Sequence, residues 1–291
     1  MDLLKAIIMG VVQGIAEFLP ISSDGHLAIM KHILHIKTDT GLLFDILLHF
    51  GTLIAIFIVF WKDIWELIRE GFQIIGDVIK NIGLLLINTT SKNKLDYKRV
   101  ISTPYRKFVM LILVSTIPTG FIGVVLENVV ERTGKTLLVP GLCLILTGVL
   151  LMISDLVKPG VKTEEGTTFL DAGLIGIAQG LATLPGLSRS GATITTALIL
   201  GLDREFAVKY SFLMSIPAVL GAVVFELKDF SMNMVSQRDL FNYLVGTIVA
   251  AAVGYFSIKT MLLIVRGKKF KYFAYYCIGI GMIAFISYFA L

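Results

Sequence analysis

Gln13-Gly14-Ile15-Ala16-Glu17-Phe18-Leu19-Pro20-Ile21-Ser22-Ser23-Asp24-Gly25-His26 is a polar stretch set inside apolar sequence, and it has a counterpart. Gln179-Gly180-Leu181-Ala182-Thr183-Leu184-Pro185-Gly186-Leu187-Ser188-Arg189-Ser190-Gly191 repeats its pattern of Gln-Gly-apolar-Ala, a proline, and a serine-rich turn with a glycine. Each copy sits between short apolar runs: residues 3–19 and 27–36 around the first, 172–184 and 192–202 around the second. Crossing a bilayer takes about 20 predominantly apolar residues, so each run is too short to cross comfortably. A helix–turn–helix that enters and returns on the same side fits better. Such backbone is tolerated at membrane depth only where protein buries it or where it lines a wet cavity. Paired Gly/Pro-interrupted segments in two halves of a membrane protein point to its binding site.

The rest of the chain agrees with a membrane setting. Of 291 residues, 56% are hydrophobic and 16% charged, and the mean hydropathy is +0.84. Soluble domains lie nearer 45–50% and about 25%. The expected fold is an all-α polytopic membrane protein with six full spans, at about 42–60, 108–126, 138–157, 206–225, 243–265 and 272–291, plus two re-entrant hairpins. Cys143 and Cys277 lie in apolar stretches and form no metal-type cluster. No cleavable signal peptide is expected, because residues 1–5 make a weak n-region and no small-residue cleavage site precedes the first motif. The net charge of +5 is modest, and its distribution suits cytoplasmic loops rather than nucleic-acid binding.

Two basic regions orient the chain. Residues 61–107 hold Lys62, Arg69, Lys80, Lys92, Lys94, Lys98, Arg99, Arg106 and Lys107, and Ile64 to Leu86 within them reads as an amphipathic helix at the interface. Arg266, Lys268, Lys269 and Lys271 form the other. The positive-inside tendency places both in the cytoplasm. The span at 42–60 then ends inside, so the first hairpin dips from the outer face and the second from the inner face. This is an inverted-topology repeat in one membrane domain: a first repeat at about 1–130 with the insertion at 61–107, a second at about 170–265, and a final span. Pro118 and Pro217 read as kinks in two helices whose freed carbonyls find Ser or Thr partners.

Glu17 follows an uncharged stretch, and an ionisable residue within a membrane segment is a functional hypothesis by default. Gln13 lies one turn earlier on the same face, and the pair can ligate a divalent cation or orient a water. The competing reading is a carboxylate held within a turn near the surface. His26 suits acid/base work or attack on phosphorus. One of Ser22 and Ser23 reads as an N-cap, and Ser23 is taken as the reactive or phosphate-facing hydroxyl. Asp24 reads as exposed or capping. In the second copy, Ser188-Arg189-Ser190-Gly191-Ala192-Thr193 opens a half-helix whose free N–H groups favour an anion. Arg189 adds a planar fork for phosphate, and Ser188, Ser190 and Thr193 add hydroxyls; alternatively Arg189 pairs only with Glu17. Asp45 and His49 share a face and read either as a supporting pair or as an interfacial face. Together these groups make a phosphoryl-transfer site, and its apolar setting says that the substrate carries a lipid tail.

Glu17-Phe18-Leu19-Pro20-Ile21-Ser22-Ser23-x-Gly25-His26 and Pro185-Gly186-x-Ser188-Arg189-Ser190-Gly191-Ala192-Thr193 resemble the two signature motifs of the undecaprenyl-diphosphate phosphatase family, integral-membrane enzymes associated with bacitracin resistance. Length, motif order and hydropathy agree along nearly the whole chain. The resemblance implies hydrolysis of undecaprenyl diphosphate, a polyprenyl diphosphate, to undecaprenyl phosphate and inorganic phosphate, which recycles the lipid carrier for cell-wall synthesis. It implies Mg²⁺ or Ca²⁺ as cofactor, a bacterial plasma membrane, and a site approached from the outer side. The family's first motif has Glu or Gln and then Glu four positions on, here Gln13 and Glu17. Asp24 stands where a small hydroxyl residue is expected in many relatives. On this reading Arg189, Ser188, Ser190 and Thr193 hold the diphosphate with Ser22 beside them. Glu17 and Gln13 position the cation or nucleophile. Ser23 or a water attacks, and His26 moves the proton. Two rival readings are a lipid-phosphate transporter and an ion-coupled permease. A homodimer is left open, and no nucleic-acid partner is expected.

Overall fold

The computed structural model describes residues 2–36, 41–90, 94–133, 136–158, 160–226, 236–267 and 269–290. Lys92 and Lys268 of the two basic regions lie outside the described residues. The described residues form eleven helices: α1 Leu3–Ala16, α2 Ser23–Ile33, α3 Gly41–Val59, α4 Trp61–Thr90, α5 Pro104–Thr133, α6 Leu138–Leu156, α7 Phe169–Leu181, α8 Arg189–Ile199, α9 Arg204–Glu226, α10 Gln237–Arg266 and α11 Phe270–Ala290. Five of them, α5, α6, α9, α10 and α11, are individually long and apolar enough to cross a membrane. The sixth expected span is α3. Its apolar segment meets α4 at an 88° bend, and the two pass the same test only as a pair. Outward-facing Phe121 and Phe289 are about 70% exposed, as side chains facing lipid would be. The protein is a multi-pass membrane protein.

The amphipathic helix expected at Ile64 to Leu86 is α4, which runs a turn further at its C-terminal end. Arg106 fastens it to α5. Its Nε donates to Glu70 at 2.8 Å, Nη2 to Gln73 at 2.9 Å, and Nη1 to Asp77 at 2.8 Å and to the Val100 carbonyl at 3.0 Å. Glu70, Gln73 and Asp77 are one helical turn apart and share a face. The Arg106 hydrogen bond holds the Asp77 carboxyl below the usual carboxylate range.

Pro118 lies inside α5 and Pro217 inside α9. Each removes a backbone donor, and hydroxyls bond carbonyls nearby: Ser115 to Leu111 O at 2.7 Å, Thr119 to Ser115 O at 2.8 Å, and Ser215 to Phe212 O at 2.7 Å.

Each short helix that precedes a motif turn lies along a long helix from the other half of the chain. On α1, Gly10 abuts the Gly246 carbonyl and Gly14 the Ala250 carbonyl of α10. On α7, Gly176 abuts the Ser115 carbonyl and Gly180 the Ile122 side chain of α5. Small residues one turn apart let helix backbones touch, and a Cβ at any of these positions would collide. The helices α6 and α11 pack on each other along their length, with Gly141 against the Gly281 carbonyl. Cys143 and Cys277 are buried in these two helices as free thiols.

Candidate active site

The two motif turns are built alike. After α1, the chain turns through Pro20 and reaches Ser22, whose φ is +71°. Ser22 Oγ accepts from Gly25 N at 3.4 Å, so Ser22 caps α2 and Ser23 is its first helical residue. After α7, the chain turns through Pro185 and Gly186, where φ is +92°. Ser188 Oγ accepts from Gly191 N at 3.1 Å, so Ser188 caps α8 and Arg189 is its first residue. Ser23 and Arg189 therefore hold equivalent places in the two copies.

The turns meet. Arg189 Nη2 donates to Glu17 Oε1 at 2.6 Å across 172 residues of sequence. A Cβ placed on Gly25 would stand 3.6 Å from Gly186 Cα, and one on Gly191 would stand 3.4 Å from Pro20 Cβ. Between them lies a cavity of about 290 Å³, lined by Glu17, Ser22, Ser23 and Asp24 from the first copy and by Ser188 and Arg189 from the second. Ala218, Val219, Ala222 and Val223 of α9 give it an apolar wall.

Its polar groups form one network. Gln13 Nε2 donates to Glu17 Oε2 at 3.1 Å and lies 3.0 Å from His49 Nδ1. His49 Nδ1 is 3.6 Å from Glu17 Oε2, and its Nε2 is 3.8 Å from Asp24 Oδ1. Three atoms at or beside the cavity are buried without a hydrogen-bond partner among the described residues: Gln179 Oε1 on its wall and, in the Glu17 network, Gln13 Oε1 and Arg189 Nη1. Each such group costs about 1–3 kcal/mol when left unsatisfied, and most buried polar groups find partners. Gln13 Oε1 is an acceptor beside a carboxylate, which suits a cation. Arg189 Nη1 is a guanidinium donor, which suits an anion. No cluster of three or more His, Cys, Asp or Glu able to hold a metal occurs among the described residues. The donor set therefore fits a hard cation only in the manner of Mg²⁺, which takes one or two protein oxygens and completes its shell with water and substrate phosphate.

Three expected residues stand elsewhere. The His26 ring lies off the cavity wall, folded back on its own turn and against α11. Its Nδ1 is 2.8 Å from Ser22 O, and its Nε2 is 2.7 Å from the Tyr276 hydroxyl. Ser190 and Thr193, expected to face phosphate, lie beneath the cavity. Ser190 Oγ is 3.3 Å from Ser188 Oγ, while Thr193 Oγ1 bonds Arg189 O at 2.8 Å and lies 2.6 Å from Ser211 Oγ on α9. The reason is helical spacing: residues 190 and 193 share the face of α8 that packs on α9, whereas 188 and 189 face the opening. Asp45 pairs with Lys31 rather than with His49.

Of the two readings of His49, a supporting residue or part of an interfacial face, the structure favours the first: His49 lines the wall. Gln179 and Thr183, given no role in the sequence reading, also line it, with Thr119 of α5 beside them. Here a signal existed: Gln179 and Thr183 occupy the places of Gln13 and Glu17 when the two copies are aligned.

The family model for bacitracin resistance protein BacA matches residues 6–283. The chain belongs to the BacA family. Curated relatives named undecaprenyl-diphosphatase match it along almost their whole length. The protein from Methanosphaera stadtmanae is 43% identical over 286 residues, which is 98% of either chain. That from Alkaliphilus metalliredigens is 38% identical over 286 residues, again 98% of either chain. That from Carboxydothermus hydrogenoformans is 40% identical over 287 residues, 97% of this chain and 96% of the relative. The BacA match contains both motif turns and every residue that lines the cavity.

Proposed function

We propose that this BacA-family protein hydrolyses undecaprenyl diphosphate to undecaprenyl phosphate and inorganic phosphate. The observation that carries the reading is the junction of the two turns: a guanidinium from one, a carboxylate and a serine hydroxyl from the other, on one cavity with an apolar wall. The names of the full-length relatives support it and favour hydrolysis over transport of a lipid phosphate.

In this reading the substrate's terminal phosphate takes the place of part of the Glu17–Arg189 contact. Arg189 binds it through Nη1 and Nη2 in the bidentate manner that suits phosphate, aided by the open first turn of α8. Either a water beside Ser23 attacks the terminal phosphorus in line with the bridging oxygen and gives inorganic phosphate directly, or Ser23 Oγ attacks and a water then cleaves the resulting Ser23 phosphoester to release inorganic phosphate. The bond from that phosphorus to the bridging oxygen breaks, and the lipid monophosphate leaves. The imidazole on the wall is that of His49, set between Glu17 and Asp24 to exchange the nucleophile's proton. Gln13 Oε1 and Glu17 would hold a divalent cation, Mg²⁺ or Ca²⁺, which neutralises phosphate charge when bound. The lipid tail leaves along the α9 wall. The two hairpins are re-entrant and belong to inverted halves of the chain, and the cavity opens to the outer side of the plasma membrane. The matched contacts of α1 with α10 and of α7 with α5 support the repeat.

The test is phosphate release from a long-chain prenyl diphosphate by the purified protein, with and without chelator. Chelator-sensitive release is expected. Absence of release from well-folded protein in the presence of Mg²⁺ or Ca²⁺ would reject the reading.

A further inference from the structure

Ser22 is a non-glycine residue at φ +71°, in the left-handed region that L-residues occupy only when their surroundings over-determine it. It immediately precedes Ser23, the hydroxyl on the cavity wall. The surroundings that hold it are specific. Gly25 N donates to Ser22 Oγ at 3.4 Å, and Ser22 O receives His26 N at 3.3 Å and His26 Nδ1 at 2.8 Å. A carbonyl only accepts, so Nδ1 carries the hydrogen. In the neutral ring Nε2 is then the acceptor, and it is 2.7 Å from the Tyr276 hydroxyl. The two rings are also stacked, with centroids 5.6 Å apart and planes 16° apart. The next residue of α11, Cys277, directs its Sγ at Pro20 O at 3.6 Å. Two adjacent residues of the last helix thus hold both sides of the first turn.

We propose that Tyr276 and His26 form a brace that keeps Ser22 in its left-handed conformation and thereby aims Ser23 into the cavity. His26 is a positioning residue that acts through Ser22, and Tyr276 is a positioning residue that acts through His26. The inference rests on the reading of the cavity as a hydrolytic site only in so far as Ser23 works there. The geometry of the brace does not depend on turnover. It gives His26 a role that needs no proton exchange with substrate, because both ring nitrogens are engaged away from the cavity. It also gives α11, which lies beyond both motif copies, a task at the site.

The experiment compares the full-length protein with Tyr276→Phe, His26→Asn and His26→Gln. Asparagine can still present a side-chain N–H to Ser22 O, whereas the longer glutamine amide takes the place of Nε2 and leaves that carbonyl only the backbone N–H of residue 26. In detergent with prenyl diphosphate, Tyr276→Phe is expected to lower kcat about fivefold, the worth of one hydrogen bond, with KM and the shape of the pH profile unchanged. His26→Asn should stay within about tenfold of the parent. His26→Gln should fall by about 10²-fold, as expected for a misplaced reacting group. Equal inactivity of both His26 variants, with one limb of the pH profile missing, would overturn the brace in favour of acid/base work; so would a Tyr276→Phe variant with unchanged kcat. A second arm needs no activity. In ¹⁵N-histidine-labelled protein, the His26 ring should be the Nδ1–H tautomer, with an Nε2 signal that moves on Tyr276→Phe. An Nε2–H tautomer, or a signal indifferent to Tyr276→Phe, would remove the brace. Parent protein that releases no phosphate while showing the expected ring signals would remove the hydrolytic reading and leave the brace standing.

Discussion

The two motif turns solve the same geometric problem with different residues. Both have a left-handed residue after the proline, a serine cap, and a first helical residue on the cavity, but the left-handed residue stands at different places: at Gly186, two residues before the cap Ser188 whose own φ is −70°, and at the cap itself in Ser22. The second turn uses Gly186, which carries no Cβ and fits under the Pro140 carbonyl. Thr147 of α6 then completes it, accepting from Ser188 N at 3.0 Å and donating to Gly186 O at 3.3 Å. The first turn makes its serine cap the left-handed residue, and His26, Tyr276 and Cys277 contact it or its turn. The glycine turn delivers Arg189 to the cavity, and the braced turn delivers Ser23. Strain in proteins gathers where chemistry is done, and here it is confined to one of two otherwise matched turns. The helices that brace them, α6 and α11, pack on each other.

Removing the two delivered residues tests the contrast most severely. Arg189→Ala is expected to lower kcat/KM by about 10³-fold, the scale for losing a preorganised charged donor; retention of a tenth of the activity would sink the clamp role. Ser23→Ala at the matching position separates attack by Ser23 from attack by water. A comparable loss marks the serine as nucleophile, and near-complete retention marks water. Chelation comes next: EDTA should depress turnover by about 10²-fold, with recovery on adding Mg²⁺ or Ca²⁺. Chelator-insensitive turnover would remove the cation from Gln13 and Glu17.

Stability sharpens the comparison at smaller scale. Gly186→Ala should destabilise the protein by about 2–4 kcal/mol, since a left-handed alanine costs about 1–2 kcal/mol and its Cβ meets the Pro140 carbonyl. Ser22→Gly should lie within about 1 kcal/mol of the parent, because the backbone penalty disappears and glycine is itself a tolerable cap. Thermal unfolding of both variants checks the pair, and equal shifts would erase the distinction between the turns. The smallest effect concerns α4. The Asp77 carboxyl is held below its usual range by Arg106. Its ionised form therefore supports α4 docking above the ordinary carboxylate range, and that support is lost as pH falls through the lowered value. Trp61 and Trp65, the two tryptophans, both lie on α4. Their emission should shift on acidification, and Asp77→Asn should show the shifted emission already at neutral pH.

Much of this was legible in the residues. Short apolar runs broken by Pro20 and Pro185 marked the two hairpins, and the helices lie within a few residues of those runs. Glu17 and Arg189 were recognisable as a pair because buried charges need partners. What the sequence could not show was direction around a helix end. Whether Ser190, Thr193 and His26 look into the cavity depends on the angle at which α2 and α8 leave their turns, and that angle is set by contacts with Tyr276 and Ser211 from distant segments. His49 was legible only as a candidate beside Asp45, and its place on the wall was not. Its neighbours Gln13, Glu17 and Asp24 come from other helices and turns. The 88° bend after α3 lacks a proline or glycine at Phe60 to announce it.

The glycine contacts between α1 and α10 bear on biosynthesis. Gly246 follows Gly10 by roughly 240 residues. At about 5–20 residues per second of translation, the first hairpin waits on the order of ten seconds to a minute before the surface that grips it has been made. For the 172 residues made after it, Glu17 has no Arg189, and the cavity around it is unfinished. A newly made first half is therefore an incomplete object, and α1 gains its glycine contacts only once α10 has been made.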